Sequence, residues 1–305
     1  MPAIDFRKME ATGNDYVYFG PFIEGGEISR PRTEEVLEWL TEDRIRHISD
    51  RHFGIGGDGV VLVGPANGEG SAARMFMWNA DGSPSAMCGN ALRSVAALIH
   101  EHLQLSDFSV ETGDHTYHCA IEGVREGQTW TTVNMGRPIL DPEQVPYAPV
   151  LSEILEPADS RSLRPASIKL HTPAQDWTGR ILSMGNPHFV VDVTGAKPSL
   201  DRMDLRSIGP GLEHHVGFPE RVNIEFIEWV GDTTIRQRTF ERGSGETLSC
   251  GSGACAAFIA ARAEKPGLDS LTIRLRGGNL QLSLKDGNIW MYGPAQVVFG
   301  GTLEF

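Results

Sequence analysis

Apolar residues alternate with polar ones, or run in short blocks, over ten stretches: 15–19, 59–63, 74–78, 108–111, 130–134, 189–193, 223–229, 234–240, 271–275 and 289–292. Each pattern predicts a strand, half-buried where it alternates and buried on both faces where it does not. Helical spacing is rarer. Thr33 is placed to cap a helix carrying Val36, Leu37 and Leu40, while 92–103 and 254–263 read as longer helices of apolar and small residues. The stretch 141–176 is rich in proline and polar residues and has no period, which predicts a domain connection or a long surface insertion. The expectation is a strand-rich α/β (α+β) chain with about one long helix in each half.

The two long helices share more than composition. Cys88-Gly89-Asn90-Ala91 and Cys250-Gly251-Ser252-Gly253 open them 162 residues apart. Nine residues before each cysteine lies a polar turn, beginning at Asn79 in one half and at Glu241 in the other. Gly13-Asn14-Asp15 before the first strand is echoed by Gly185-Asn186-Pro187-His188 before 189–193. The repeat predicts two pseudo-symmetric halves. A cysteine at a helix start meets unpaired N–H groups and the positive end of the helix dipole, and both favour the thiolate. A lowering of about one pKa unit would make it a usable base at neutral pH. The N–H groups of Gly89, Asn90, Gly251 and Ser252 can hold a carboxylate, and two such thiols suit proton removal from one face of an α-carbon and return to the other.

Composition narrows the remaining choices. The chain has 305 residues, 40% of them hydrophobic, which suits two globular domains. Its net charge of −13 disfavours nucleic acid or an anionic membrane as partner. No apolar run approaches a membrane span, and acidic residues stand where a signal peptide would carry its apolar core, so a cytoplasmic protein is expected. Four cysteines in such a chain make a disulfide framework improbable. Cys119 sits on a strand-like run whose alternation turns His118 away from it, and Cys255 lies about 140° around the helix from Cys250, so both read as core. Gly54-Ile55-Gly56-Gly57-Asp58-Gly59 satisfies the dinucleotide fingerprint in letters, but a strand follows it where a helix is needed. His214 and His215 beside Glu213 read as surface residues of a loop; no zinc spacing, no G-x-S-x-G elbow and no lysine in a phosphate-binding context occurs. No cofactor and no metal are expected.

The chain resembles a known family, the diaminopimelate epimerases, through KMEATGND, SDRHFGIGGDG, NADGSPSAMCGNALR, SMGNPHFVV, RVNIEF and RTFERGSGETLSCGSGACAA. The resemblance implies two similar domains, each a curved sheet or barrel around a central helix, with the active site in the cleft between them. It assigns 1–131 plus 294–305 to the half carrying Cys88 and 132–293 to the half carrying Cys250. It implies Cys88 and Cys250 as the acid/base pair, and Asn14, Asn79, Gly89, Asn90, Asn186, Asn223, Glu241, Arg242, Gly251 and Ser252 as substrate-binding residues, with His188 as an auxiliary candidate. Arg242 suits a distal carboxylate and Glu241 a distal ammonium. The implied activity is cofactor-independent interconversion of LL- and meso-2,6-diaminopimelate, in lysine and peptidoglycan precursor synthesis, by an enzyme that is often a homodimer. Ala91 stands at a usual glycine, and Gly59 where some members carry glutamine. Two rivals remain: a racemase of the same fold acting on proline, hydroxyproline or histidine, and a silent binding protein for a dicarboxylic amino acid.

Overall fold

Strand pairing runs through most of the computed structural model, which describes residues 3–304. The chain divides into two units, Met1–Asn134 with Tyr292–Phe305, and Met135–Met291. In chain order the first contains β1 (Ile4–Ala11), β2 (Asn14–Phe19), the short β3 (Ile23–Glu24) and β4 (Glu27–Ile28), α1 (Arg30–Trp39), α2 (Glu42–Ser49), β5 (Gly59–Gly64), β6 (Ala73–Asn79), α3 (Gly89–Leu103), β7 (Asp107–Thr112), β8 (His115–Arg125) and most of β9 (Gln128–Gly136). The second contains β10 (Ser152–Glu156), β11 (Ala166–His171), β12 (Asp176–Ser183), β13 (Pro187–Asp192), α4 (Leu205–Glu213), β14 (Asn223–Gly231), β15 (Thr234–Glu241), β16 (Gly245–Thr247), α5 (Gly251–Glu264), β17 (Ser270–Leu275) and β18 (Gly278–Lys285). A last strand, β19 (Asn288–Leu303), starts in the second unit and ends in the first.

In the first unit the pairings return to their starting strand. β1 pairs with β2, β2 with β5, and so on through β6, β7, β8 and β9 to β19, which pairs antiparallel with β1. A ring of pairings leaves no open edge. α3 packs against β1, β2, β6 and β8, strands from several parts of that ring, and every residue from Gly89 to Ile99 is buried. A helix buried on every side is enclosed by its sheet, its small residues let the strands come close, and the buried Arg93 is satisfied by the Thr12 hydroxyl and the Pro294 carbonyl. On the other face of β2 and β5, Val17, Phe19, Val60 and Leu62 meet Val36, Trp39, Ile45 and Ile48 of α1 and α2. Covered on both faces, β5 reads as an unbroken apolar run rather than an alternation.

The second unit repeats the scheme around α5. β10 to β13 are antiparallel neighbours, β13 joins β14 in parallel, β14 pairs with β15, and β15 runs parallel to β17, itself paired with β18. α5 lies on β12, β13, β14, β15 and β18, and apart from Ser252 it is buried from Gly251 to Ala261. Away from it, Phe189, Ile224, Phe226 and Phe240 form a core with Leu205, Leu212 and Phe218. The architecture is the expected α/β class, two units each with a sheet wrapped on one long helix.

Three local expectations need correction. The first helix is capped by Ser29, whose side chain accepts from the Arg32 N–H, with Pro31 in the first turn; Thr33 lies inside and donates to the Ser29 carbonyl at 2.7 Å. The stretch 141–176 is not structureless. It carries β10 and β11, and Ile168 and Leu170 are fully buried, because pairing with β12 supplies the order that local sequence lacks. Of the two adjacent histidines only His214 is on the surface; His215 is buried, one ring nitrogen 3.2 Å from the His171 carbonyl and the other 3.1 Å from the Gly217 N–H. Among the described residues, no helix is long and apolar enough to cross a membrane.

Candidate active site

In the first unit the site grows from the start of α3. Cys88 is the extended N-cap residue, Gly89 and Asn90 form the first turn behind it, and both are buried. The Cys88 thiol donates to the Asn14 side-chain oxygen at 3.3 Å. Asn14 opens β2, and its amide nitrogen donates to Asp58 Oδ2 at 2.6 Å. The same Asp58 oxygen accepts from the Asp15 N–H at 3.0 Å. Arg51 clamps both acids, reaching Asp15 at 2.6 and 3.0 Å and Asp58 at 2.8 Å, and Lys8 pairs with Asp15 at 2.5 Å. Burial pushes the Asp15 carboxyl up, but the bonds from Arg51 and Lys8 outweigh it and hold the group below the usual carboxylate range. Asn79 ends β6 opposite Gly59, is exposed, and bonds Ser83 at 3.0 Å. A side chain at Gly59 would meet the Trp78 carbonyl, 2.0 Å from a Cβ placed there, so this backbone admits only glycine.

In the second unit, sheet register gathers the groups. Parallel pairing sets His188 opposite Asn223, antiparallel pairing sets Ile224 opposite Phe240, and Glu241 therefore ends β15 where β13 and β14 begin. Cys250 caps α5 and is buried; its sulfur accepts from the Gly253 N–H at 3.3 Å and lies 3.5 Å from the Ser252 hydroxyl. His188 Nδ1 stands 2.9 Å from Glu225 Oε1 with both side chains fully enclosed, and Nε2 stands 2.9 Å from Asn186 Oδ1. Asn223 ties the turn after β15 to β13, donating to the Pro187 carbonyl at 3.1 Å and accepting from the Arg242 N–H at 2.9 Å. Arg242 donates to the Glu220 carbonyl at 3.0 Å, and Glu241 accepts from the Thr247 hydroxyl.

The charge at Cys250 departs from what its helix position predicts. Burial pushes its thiol well up, and Glu241 and Glu225 push in the same direction, overriding the Ser252 and Gly253 hydrogen bonds that favour the thiolate. The correction has a plain cause: a helix start contributes a fraction of a charge, whereas desolvation and two carboxylates act together against ionisation. Glu241 is itself raised by burial, with Glu225 adding to it. In this arrangement the Cys250 thiol is held against ionisation.

Sequence reading missed several residues that shape these groups. Glu225 lies against the first turn of α5, so that a Cβ on Gly253 would sit 2.5 Å from its Oε1 and 3.2 Å from the Cys250 sulfur. The signal was available: an acid set between apolar Ile224 and Phe226 in a strand's buried half needs a partner. Asp58, inside the rejected glycine motif, orients Asn14. Glu213, nearly buried, accepts from the Gly243 N–H at 2.8 Å and steadies the turn carrying Arg242; nothing local marks it. Cys119 and Cys255 are fully buried, as expected of core residues, and His118 points to Asp107 at 3.0 Å.

A family model described as Diaminopimelate epimerase matches residues 6–140 and 180–298. A diaminopimelate epimerase of Leptospira biflexa serovar Patoc is 37% identical over 310 aligned residues, covering 99% of this chain and 99% of that one. Another, of Desulfovibrio desulfuricans, is 39% identical and covers 98% of each. Among solved structures, a hydroxyproline epimerase from Agrobacterium vitis with bound trans-4-OH-L-proline superposes with a TM-score of 0.64 at 17% identity, covering 99% of this chain and 91% of that one. That likeness concerns the fold.

Proposed function

The chain belongs to the diaminopimelate epimerase family, and from that premise we propose that it interconverts LL-2,6-diaminopimelate and meso-diaminopimelate by passing an α-proton between Cys88 and Cys250. The observation that carries the reading is the matched pair of cysteine N-caps, one thiol bonded to an amide oxygen and the other set beside two carboxylates. One sulfur, as thiolate, takes the α-proton; the other, as thiol, delivers its proton to the opposite face. The product leaves with the two protonation states exchanged, and no other acid or base is consumed. The N–H groups of Gly89, Asn90, Gly251 and Ser252 hold the α-carboxylate and stabilise the charge that builds on it as the proton leaves. Asn14, Asn79, Asn186 and Asn223 supply neutral donors and acceptors, Arg242 takes the distal carboxylate and Glu241 the distal ammonium, with His188 as an auxiliary.

On this reading the enzyme works in the cytoplasm as a homodimer, supplying lysine and peptidoglycan precursors, and needs neither metal nor organic cofactor. The Glu241-Arg242 pair favours it over a proline-type racemase, whose substrate has no second amino-acid head. The test is α-hydrogen exchange in D₂O, with no cofactor added, over diaminopimelate, proline, hydroxyproline and histidine. Exchange and epimerisation of diaminopimelate alone is the expected result. Faster exchange of proline or histidine would replace the substrate assignment, and binding without exchange would leave only a binding protein.

A further inference from the structure

The glycine-rich stretch 54–59 leads into β5 rather than into a helix, and its acid, Asp58, is bonded to Asn14. We propose that Asp58 is a positioning residue, locking the Asn14 amide with its oxygen toward Cys88 so that this cysteine keeps its proton until substrate arrives. The inference rests on the reading of Cys88 as one of the two acid/base groups.

An ionised carboxylate only accepts, so the Asn14 NH₂ must face Asp58, 2.6 Å away, and the amide oxygen must face the other direction. In that direction lies the Cys88 sulfur, at 3.3 Å. An amide oxygen accepts from a thiol but sets lone pair against lone pair with a thiolate. Were the amide free to turn over, its NH₂ would do the reverse and favour the thiolate. Asp58 is itself held from two sides, by the Asp15 N–H on one oxygen and Arg51 on the other, and Arg51 is fixed by its second grip on Asp15. The loop is drawn tight on this cluster: a Cβ on Gly57 would lie 2.6 Å from the Lys8 nitrogen, and Lys8 closes the group by pairing with Asp15. Among the groups around Cys88, Tyr18 on β2 is neutral, its phenol pushed up by burial, and Arg93 on α3 donates to the Thr12 hydroxyl and the Pro294 carbonyl. At Cys250 the corresponding sulfur contact is with a donor, the Gly253 N–H, so the two thiols are held by opposite means.

The experiment follows alkylation of Cys88 by iodoacetamide against pH in the full chain, read by peptide mass mapping. In D58N the acid becomes an amide that no longer dictates which end of Asn14 it meets, and the midpoint should fall by about one pH unit, roughly tenfold faster labelling at neutral pH. N14L, lacking the acceptor, should shift the same way, and D58N added to N14L should shift it no further. An unchanged midpoint in D58N, or a D58N shift that persists on the N14L background, overturns the lock. If D58N does not fold, side-chain amide NMR of the parent decides: one Asn14 orientation through the Cys88 titration supports the lock, and an orientation that turns over with it overturns the lock. A shift in protein that does not epimerise diaminopimelate would support the lock and sink the functional reading. No shift in an active epimerase would remove the lock alone.

Discussion

Cys88 and Cys250 begin with the same local instructions and end in different chemistry. Each is an extended N-cap residue followed by glycine at the start of a buried helix, with a polar turn nine residues upstream. Around Cys88, which is partly exposed, the unit arranges an amide and a cluster of alternating charges outside it. Around Cys250, which is buried, it arranges two acids and a histidine on adjoining strands. A helix start therefore fixes where a thiol points, while the groups brought beside it fix how its proton is held, by an amide oxygen at Cys88 and by burial with two acids at Cys250. On the proposed two-thiol reading, unequal surroundings keep the two sulfurs from changing protonation state together.

The largest effect should come from breaking the pair itself. Cys88→Ser and Cys250→Ser are each expected to lower epimerisation by about 10³-fold, the scale of a lost acid/base group, whereas Cys119→Ala and Cys255→Ala keep most of it. Turnover near the parent value in either serine variant would end the two-thiol mechanism. Next in size is stability. Glu225→Ala leaves buried His188 without its carboxylate and should cost about 3 kcal/mol, while Asp58→Ala, in a half-exposed cluster, should cost about 1 kcal/mol or less. Urea denaturation of the two variants measures the difference, and equal costs would mean that the two surroundings are not as unlike as their burial suggests.

Selective alkylation sharpens the contrast directly. In ligand-free protein near neutral pH, iodoacetamide should label Cys88 at least about tenfold faster than Cys250, which is buried and keeps its proton. Peptide mapping over a time course would show it, and faster labelling of Cys250 would mean that it is not the better shielded thiol. The smallest effect is alkaline. Burial pushes the Cys119 thiol up to about 12 from an ordinary value near 9, and Cys250 is raised too. Raised thiols hold protons in the folded state that the unfolded chain releases. Their contribution is thus complete below about pH 9 and disappears as pH climbs through the raised values. Denaturation midpoints between those limits should fall with pH in the parent and fall less steeply in Cys119→Ala and Cys250→Ala.

Much of the architecture was legible because it is periodic. The apolar blocks at 59–63 and 223–229 became β5 and β14 nearly to the residue, and the small-residue runs became α3 and α5. The repeated cysteine motif identified the helix starts and the neighbouring asparagines, since capping is a local event that a few residues decide. What failed was non-local. Pairing with β12 gave order to the polar stretch 141–176, and burial by the turn at Gly217 took in a histidine expected on the surface.

The sequence by itself determined the α/β class, the two buried helices, the cysteines at their starts and the family to which the chain belongs. Only the tertiary structure decided that Glu225 stands against the first turn of α5, that Asp58 turns an amide oxygen toward Cys88, and that Cys250 is pushed to hold its proton. Periodicity and capping are written in residues a few positions apart. Protonation is set by desolvation and by charges brought from distant strands, and their distances exist only once the sheet has closed on its helix.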